Sequence, residues 1–410
     1  MNKKIHIPEI RFQNYSDNWG GKTLKDLSDS IEYGLNASAT YFDGVHKYVR
    51  ITDIDDNSRK FISEKVTSPD VKFTPELENF KLQKNDLLFA RTGASVGKTY
   101  LYEEKDGEMY YAGFLIRARI KEAVSADFIF QQTLTEKYKR FIDITSQRSG
   151  QPGVNGKEYG EWKLGIPSIQ EQSAIGSLFR ILDDLLTAYK DNLTNYQAFK
   201  ASMLSKMFPK AGQKVPEIRL AEFEGEWKNY ELWELIENYE EIVSGRIGYP
   251  IATSSRTGLY LQDDYFGGGR TGIDDTLDFH RVPIGYVTYR HMSDDSIFKF
   301  NKNNFPMDVL VSKEYPVFIN NNQSDLNFLL YHLNNSKLFL RFSTMQKLGG
   351  TRVRLYYKNL ITYKLRTPSV DEQRAIGSFF SNLDTLISSY QDKISRLETL
   401  KKKLLQDMFI

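Results

Sequence analysis

The chain has 410 residues, a formal net charge of +2, 26% charged and 40% hydrophobic residues, the balance of a globular protein long enough for two or more domains. It contains no cysteine, which excludes disulfides and thiolate metal sites and fits a reducing cytoplasm. The start, MNKKIHIPEIRF, lacks the apolar core of a secretory signal, no apolar run approaches the length of a membrane span, and the five histidines show no metal-ligand spacing.

In chain order, a lead-in PEIRFQNYSDNW (residues 8–19) precedes a leucine-bearing helical start, TLKDL (23–27). The first globular part, roughly residues 20–165, has strand-like runs at 47–54, 86–93 and 113–120, then a helical stretch near 127–141. A long helix is predicted over 167–209, opened by Pro167. KAGQKVPE (210–217) is the expected joint, its Gly and Pro ending the first helix. PEIRLAEFEGEW (216–227) then echoes the first lead-in, followed by YELWELI (230–236). The second globular part, roughly 228–366, has strand-like runs at 258–262, 285–291, 308–312 and 315–320, then a helix near 324–345. A second long helix runs from Pro368 to Ile410.

The two long helices are copies of each other. Laid over one another without a gap, roughly 18 of about 43 positions are identical. Apolar residues recur at steps of three and four, as Ile175, Phe179, Leu182, Leu185, Tyr189, Tyr196, Phe199 and Met203, then as Ile376, Phe379, Leu383, Leu386, Tyr390, Leu397, Leu400 and Leu404. That seam predicts coiled-coil pairing, most simply antiparallel, with Asn192 and Lys393 as polar interruptions that fix register. At 1.5 Å per residue each helix would be about 60 Å long. The chain thus reads as two half-molecules with shared flanks and dissimilar α/β or α+β globular parts: one scaffold presenting two different readers.

Three catalytic motifs fail on inspection. RTGASVGKT (91–99) resembles a phosphate-cradling loop, but Gly93 and Gly97-Lys98 enclose three residues where that loop needs four. Asp86 with Glu103 and Lys105 forms a nuclease-like triplet of a kind that a chain with 53 acids and 55 bases yields by chance. FGGGR (266–270) lacks the strand–loop–helix context of a cofactor loop. The basic residues say more. From Lys337 to Arg366 there are eight Lys and Arg and no acid, interleaved with aromatics, and the corresponding place in the first half, SQRSGQPGVNGKEYGEW (146–162), carries Arg148, Gln151, Asn155 and Lys157. Positive charge beside glycine-rich turns suits a phosphate backbone, and Arg, Gln and Asn can read purine edges.

With LLFARTGASVGK (87–98), GQPGVNG (150–156), and the helix openings IPSIQEQSAIGSLF and TPSVDEQRAIGSFF, the chain resembles the DNA-specificity subunits of type I restriction–modification systems over nearly its whole length. The resemblance implies target-recognition domains over 1–166 and 228–367, helical regions over 167–209 and 368–410, and a joint with the repeated lead-in over 210–227. It implies a subunit that is not an enzyme by itself and that binds an asymmetric, bipartite site on double-stranded DNA, one domain per half-site. Its helical pair would space the readers about one helical turn, 34–36 Å, apart. Two modification subunits would bring S-adenosylmethionine for adenine methylation, and restriction subunits would use ATP and Mg; no cofactor is expected in this chain. Expected DNA contacts are Lys98, Arg148, Gln151, Asn155 and Lys157 in the first half, and Arg270, Arg290, Lys347, Arg352, Arg354 and Lys358 in the second. Leu182, Leu185, Tyr189, Leu383, Leu386 and Tyr390 are expected to pair the helices. Two rivals are a coiled-coil adaptor without DNA specificity and a nucleotide-binding enzyme using the Gly93–Lys98 loop. GGTRVRL (349–355) replaces GQPGVNG in the second half, which has no evident counterpart of RTGASVGK.

Overall fold

In the computed structural model, which describes residues 7–267, 276–347 and 352–410, each long helix is bonded at its start to the lead-in of its own half. Arg11 of the first PEIR donates from Nε and Nη2 to both carboxylate oxygens of Glu171, at 2.7 Å each. Arg219 of the second PEIR holds Glu372 in the same fork, at 2.7 and 2.6 Å. Both glutamates are buried, where a carboxylate is tolerated only with such a bidentate partner. The repeated motifs are therefore the two ends of one clamp, built twice. The chain divides into two units, one holding residues up to Asp191 together with Asp392–Ile410, the other Asn192–Gln391.

In the first unit, Gly20–Thr23 (β1) leads into a single helical turn, Leu24–Leu27 (α1), capped by Thr23, and then into Ser28–Tyr33 (β2). Strands Asp86–Ala90 (β3), Thr99–Leu101 (β4) and Leu115–Ile120 (β5) complete an antiparallel sheet of order β2-β5-β3-β4. Helices Ala126–Gln132 (α2) and Glu136–Thr145 (α3) share a core with Leu87, Phe89, Ile116 and Ala118, while Leu88, Ala90 and Leu115 belong to a second core. Strands covered on both faces lose polar alternation, so β3 and β5 read as near-continuous apolar runs. The two exceptions in β5 are neutralised: Arg117 pairs with Glu32 and donates to Asn79 O, while Arg119 lies opposite Asp86 in register and binds it at 2.8 and 3.0 Å, and Asp86 is fully buried. After a short helix, Gly156–Gly160 (α4), strand Lys163–Ile166 (β6) returns to β1 and delivers the chain into the long helix Ile169–Lys206 (α5).

The second unit repeats the topology of the four-stranded sheet. Lys228–Glu231 (β7) precedes Ile236–Tyr239 (β8), and strands Val287–Thr288 (β9), Met292–Ser293 (β10), Asn301–Lys302 (β11) and Val317–Asn320 (β12) follow. The sheet order is β8-β12-β9-β11, antiparallel throughout, matching the first unit strand for strand. Helices Leu326–Asn335 (α6) and Lys337–Met345 (α7), strand Val353–Arg354 (β13), helix Tyr357–Leu360 (α8) and strand Lys364–Thr367 (β14) lead to Val370–Asp407 (α9). The dissimilarity expected between the halves lies in side chains and in the remaining strands: the first unit pairs Ala39–Tyr41 with Thr67–Pro69 and Lys47–Val49 in parallel with Met109–Tyr111, whereas in the second Ile242–Ser244, Asp278–Val282 and Val309–Ser312 form a three-stranded sheet. Packing of apolar residues, rather than particular residues, suffices to hold such a sheet.

Each long helix begins as part of its own domain. Ile175, Phe179 and Leu182 lie in the core with Trp19 and Phe128, and Ile376, Phe380 and Leu383 lie in the core with Trp227 and Phe328. The second copy thus buries Phe380, not the expected seam residue Phe379, which is only half-buried. Gln172 closes the junction by accepting from the Ser125 amide at 3.1 Å, and Gln373 accepts from Asp325 at 3.0 Å; these residues cap α2 and α6. Pairing of helix with helix follows further along. Lys190–Glu398 (2.6 Å), Asp183–Lys401 (2.5 Å) and Lys393 over the Tyr189 ring bind the helices in the first unit. Tyr196–Tyr390, Phe199–Phe379 and Lys200–Asp384 do so in the second. Each step up one helix matches a step down the other, so the pair is antiparallel. Leu182 and Leu383 are buried, Leu185, Leu386, Tyr189 and Tyr390 half-buried, and Phe199 and Leu400 of the expected seam are exposed.

Candidate nucleic-acid interface

The two glycine-rich motifs of the first half, some fifty residues apart in sequence, lie side by side. Gly93 donates to Pro152 O (2.9 Å), Val154 to Arg91 O (2.9 Å), and Gly153 to Ser146 O (3.1 Å), so the 91–97 and 148–156 loops form one surface. Gly93 has φ +76°, and a Cβ there would sit 2.8 Å from Gln151 Nε2; glycine makes room for the glutamine amide. Gly97, at φ +84°, is equally required, because a Cβ would meet Ile142 at 2.7 Å.

The same joint exists in the second half, where no motif announces it. β10 pairs with β13, and Leu355 donates to His291 O at 2.8 Å, just as Val154 donates to Arg91 O. Gly97 O accepts from Tyr138 of α3 (3.0 Å), and Ser296 O accepts from Ser343 of α7 (2.7 Å). Ser296 also has positive φ, +67°. Residues 291–296 are therefore the backbone counterpart of 91–97, one residue shorter, although the second half lacks the RTGASVGK motif itself. Backbone pairing preserved it while the side chains changed.

The expected contacts fall into three groups. The first is committed to the fold. Lys98 is buried, its ammonium donating to Ile54 O (2.7 Å) and pairing with Asp56 (2.6 Å), a structural cation rather than one facing solvent. Arg148 forks onto Glu158 (2.6 and 2.7 Å) and donates to Thr145 O and Gln147 O. Asn155 caps α4, its Oδ1 accepting from the Glu158 amide at 3.0 Å. Arg352 pairs with Asp294 at 2.9 Å, with both side chains largely exposed. The second group is exposed and available: Gln151 and Lys157 in the first half, and Arg290, Lys347, Arg354 and Lys358 in the second. Arg290 and Arg354 both lie near enough to His291 to lower its pKa, although burial is the larger cause. Arg290 also lines a cleft of about 450 Å³ with Arg256, Tyr265, Phe266 and Tyr315. The third group is Arg270, which lies outside the described residues, as does the Gly349–Gly350 turn.

Two of the rejected catalytic motifs hold residues with other roles, and the third, FGGGR, lies largely outside the described residues. Lys98 faces inward, and Asp86 is sealed by Arg119. One cation of the glycine-rich motif was passed over in favour of Lys98: Arg91, half-buried, whose guanidinium lies 5.1 Å from the Tyr33 ring centroid. Its sequence signal was its place two residues before a glycine that must adopt positive φ.

Comparison with known proteins agrees with this geometry. Residues 16–195 and 226–399 each match the type I restriction modification DNA specificity domain. In Methanocaldococcus jannaschii, a protein assigned as the specificity subunit of the type I restriction enzyme MjaX is 22% identical over 424 residues, covering 98% of this chain and 94% of its own. The MjaVIII specificity subunit of the same organism is 21% identical, covering 85% of this chain and 83% of its own. The fold is that of the type I restriction–modification S subunit of M. genitalium, with a TM-score of 0.61 at 15% identity, covering 98% and 99% of the two chains.

Proposed function

The chain belongs to the type I restriction–modification DNA specificity family, and from that premise we propose that its two recognition domains each read one half of an asymmetric, bipartite site on double-stranded DNA. The observation that carries this is the repeated joint of sheet, loop and helix, which offers different side chains from equivalent backbone positions: Arg91 and Gln151 in one domain, His291 and Arg352 in the other. A common frame with different contents is what two different half-sites require. Direct readout depends on which side chains reach base edges, while cations such as Lys157, Lys347 and Lys358 serve the phosphates.

In this reading the paired helices act as spacer and as docking rod for two modification subunits. Those subunits carry S-adenosylmethionine and methylate adenine, while restriction subunits supply ATP- and Mg-dependent cleavage. The chain performs recognition without catalysis, in the cytoplasm. No described helix is long and apolar enough to cross a membrane. The adaptor rival predicts no sequence preference, and the nucleotide-enzyme rival conflicts with the inward-facing Lys98.

Selection from randomised duplex DNA by the full chain with its modification subunits tests the proposal. Two short specified blocks separated by a fixed run of unspecified bases support it. Enrichment of a single continuous block, or of none, refutes it.

A further inference from the structure

We propose that Arg91 is a specificity-determining residue of the first recognition domain, reading a base edge with its guanidinium held over Tyr33. This rests on the two-reader proposal and adds a residue to it. The backbone of Arg91 is fixed on both sides, its amide donating to Phe114 O at 3.1 Å and its carbonyl accepting from Val154 at 2.9 Å. Its guanidinium lies across the Tyr33 ring, and Tyr33 is itself tied by its hydroxyl, which accepts from the Gly156 amide at 3.0 Å. Three loops thus converge on one cation.

That cation is uncommitted. Among the described residues Arg91 has no carboxylate partner, only a long contact of 3.5 Å to Gly113 O, whereas its neighbours Lys98 and Arg148 are both ion-paired. The surroundings are those of a base reader rather than of a phosphate clamp. Tyr33 is 45% exposed and Phe114 64% exposed, and Gln151 lays its amide over Gly93. Exposed rings, an amide and one planar fork suit base edges and faces, whereas phosphates are met by clustered charge. Stacking on an aromatic ring also fixes the plane of the fork, which bidentate recognition of a guanine edge requires.

The second domain supports a role in specificity. The position equivalent to Arg91 is His291, which is buried and stacked against Tyr356, with ring centroids 5.4 Å apart. A group serving only the common phosphate backbone would be expected at both positions. Here the same lock on the backbone holds two different side chains.

The test compares methylation motifs written by the full chain with its modification subunit, in a host free of adenine methylation, for wild type, Arg91→Ala and Arg91→Lys. The wild type must first write a two-part motif; if it writes none, the two-reader proposal fails and this one falls with it. The expected result is that Arg91→Ala relaxes one position of one half-site, with roughly 10- to 100-fold lower discrimination there and the other half unchanged. Arg91→Lys keeps the charge and the stem over Tyr33 but loses the fork, and is expected to relax the same position. An intact motif in both variants overturns the proposal. So does uniformly weaker binding to all sequences that Arg91→Lys restores, the behaviour of a phosphate contact.

Discussion

Asp183 accepts from Lys401 at 2.5 Å, and the residues at the equivalent places in the other copies, Asp384 and Lys200, form the same pair in the second unit. Each aspartate also takes a hydrogen bond from a recognition-domain helix of its own unit: Gln131 Nε2 of α2 to Asp183 at 3.1 Å, and Tyr331 Oη of α6 to Asp384 at 2.6 Å. The aspartate therefore joins three elements, the two long helices and the domain that rests on them. Asp183 and Lys401 are mostly shielded from solvent, so salt screens the pair less than an exposed one. A double-mutant cycle with Asp183→Asn and Lys401→Met should give a coupling of about 1–2 kcal/mol, read from thermal or denaturant unfolding. Additive single effects would show that the pair contributes nothing specific.

The last residues close the first unit. Met408 and Phe409 are buried in its core, with Phe409 5.3 Å from Phe128, 5.6 Å from Phe179 and 6.4 Å from Trp19 between ring centroids. Phe409→Ala should cost about 3 kcal/mol, and hydrogen exchange should report loss of protection in α2 and β5 rather than in α6 and β12. Uniform loss across both units would contradict the assignment of this plug.

Acid should weaken the second unit through His332. Burial pushes this imidazole down to about 4, its Nε2 meets the Tyr363 hydroxyl at 2.8 Å, and Nδ1 has no partner among the described residues. The folded pKa is below the unfolded value, so the unfolded state binds the proton first. No penalty exists above the unfolded pKa, and stability is lost as pH falls from about 6.5 toward 4, by roughly 2–4 kcal/mol in all. His332→Phe should flatten the pH dependence of unfolding across that window by one proton. An unchanged slope would mean that His332 is not kept neutral.

The cations divide into those that should and should not shape salt dependence. Arg354→Ala or Lys358→Ala should weaken binding to every DNA sequence and flatten the logarithmic salt slope by about one each if they meet phosphates. Lys98→Met should leave the slope unchanged while lowering stability, because Lys98 is already bound to Asp56 and Ile54. A slope change for Lys98→Met comparable with the others would place that ammonium on the DNA.

Sequence carried the repeat, the long helices and their order with unusual clarity, because the clamp needs Arg11 and Glu171, Arg219 and Glu372, and the close approaches at Gly176 and Gly377. The shared sheet topology was illegible: strands buried on both faces give no alternation, and strands as short as Val287–Thr288 give no pattern. The heptad reading placed Ile175, Phe179 and Ile376 in the seam because periodicity does not distinguish a partner helix from the helix's own domain, whereas Phe379 does meet Phe199 of the partner helix. Lys98 and Arg148 looked available because a sequence shows charge and not its partners. The counterpart loop at 291–296 was hidden because Ser296 adopts the left-handed conformation that glycine announces at Gly97.

The most direct measurement is the map of methylated adenines written by the chain with its modification subunit, before and after residues 24–162 are replaced by the corresponding segment of another family member. Two independent readers predict a single two-part motif with a fixed gap, methylated once in each part on opposite strands. After the exchange, one part should change while the other part stays the same. Loss or change of both parts in an exchanged protein that still assembles would contradict independent reading by two domains.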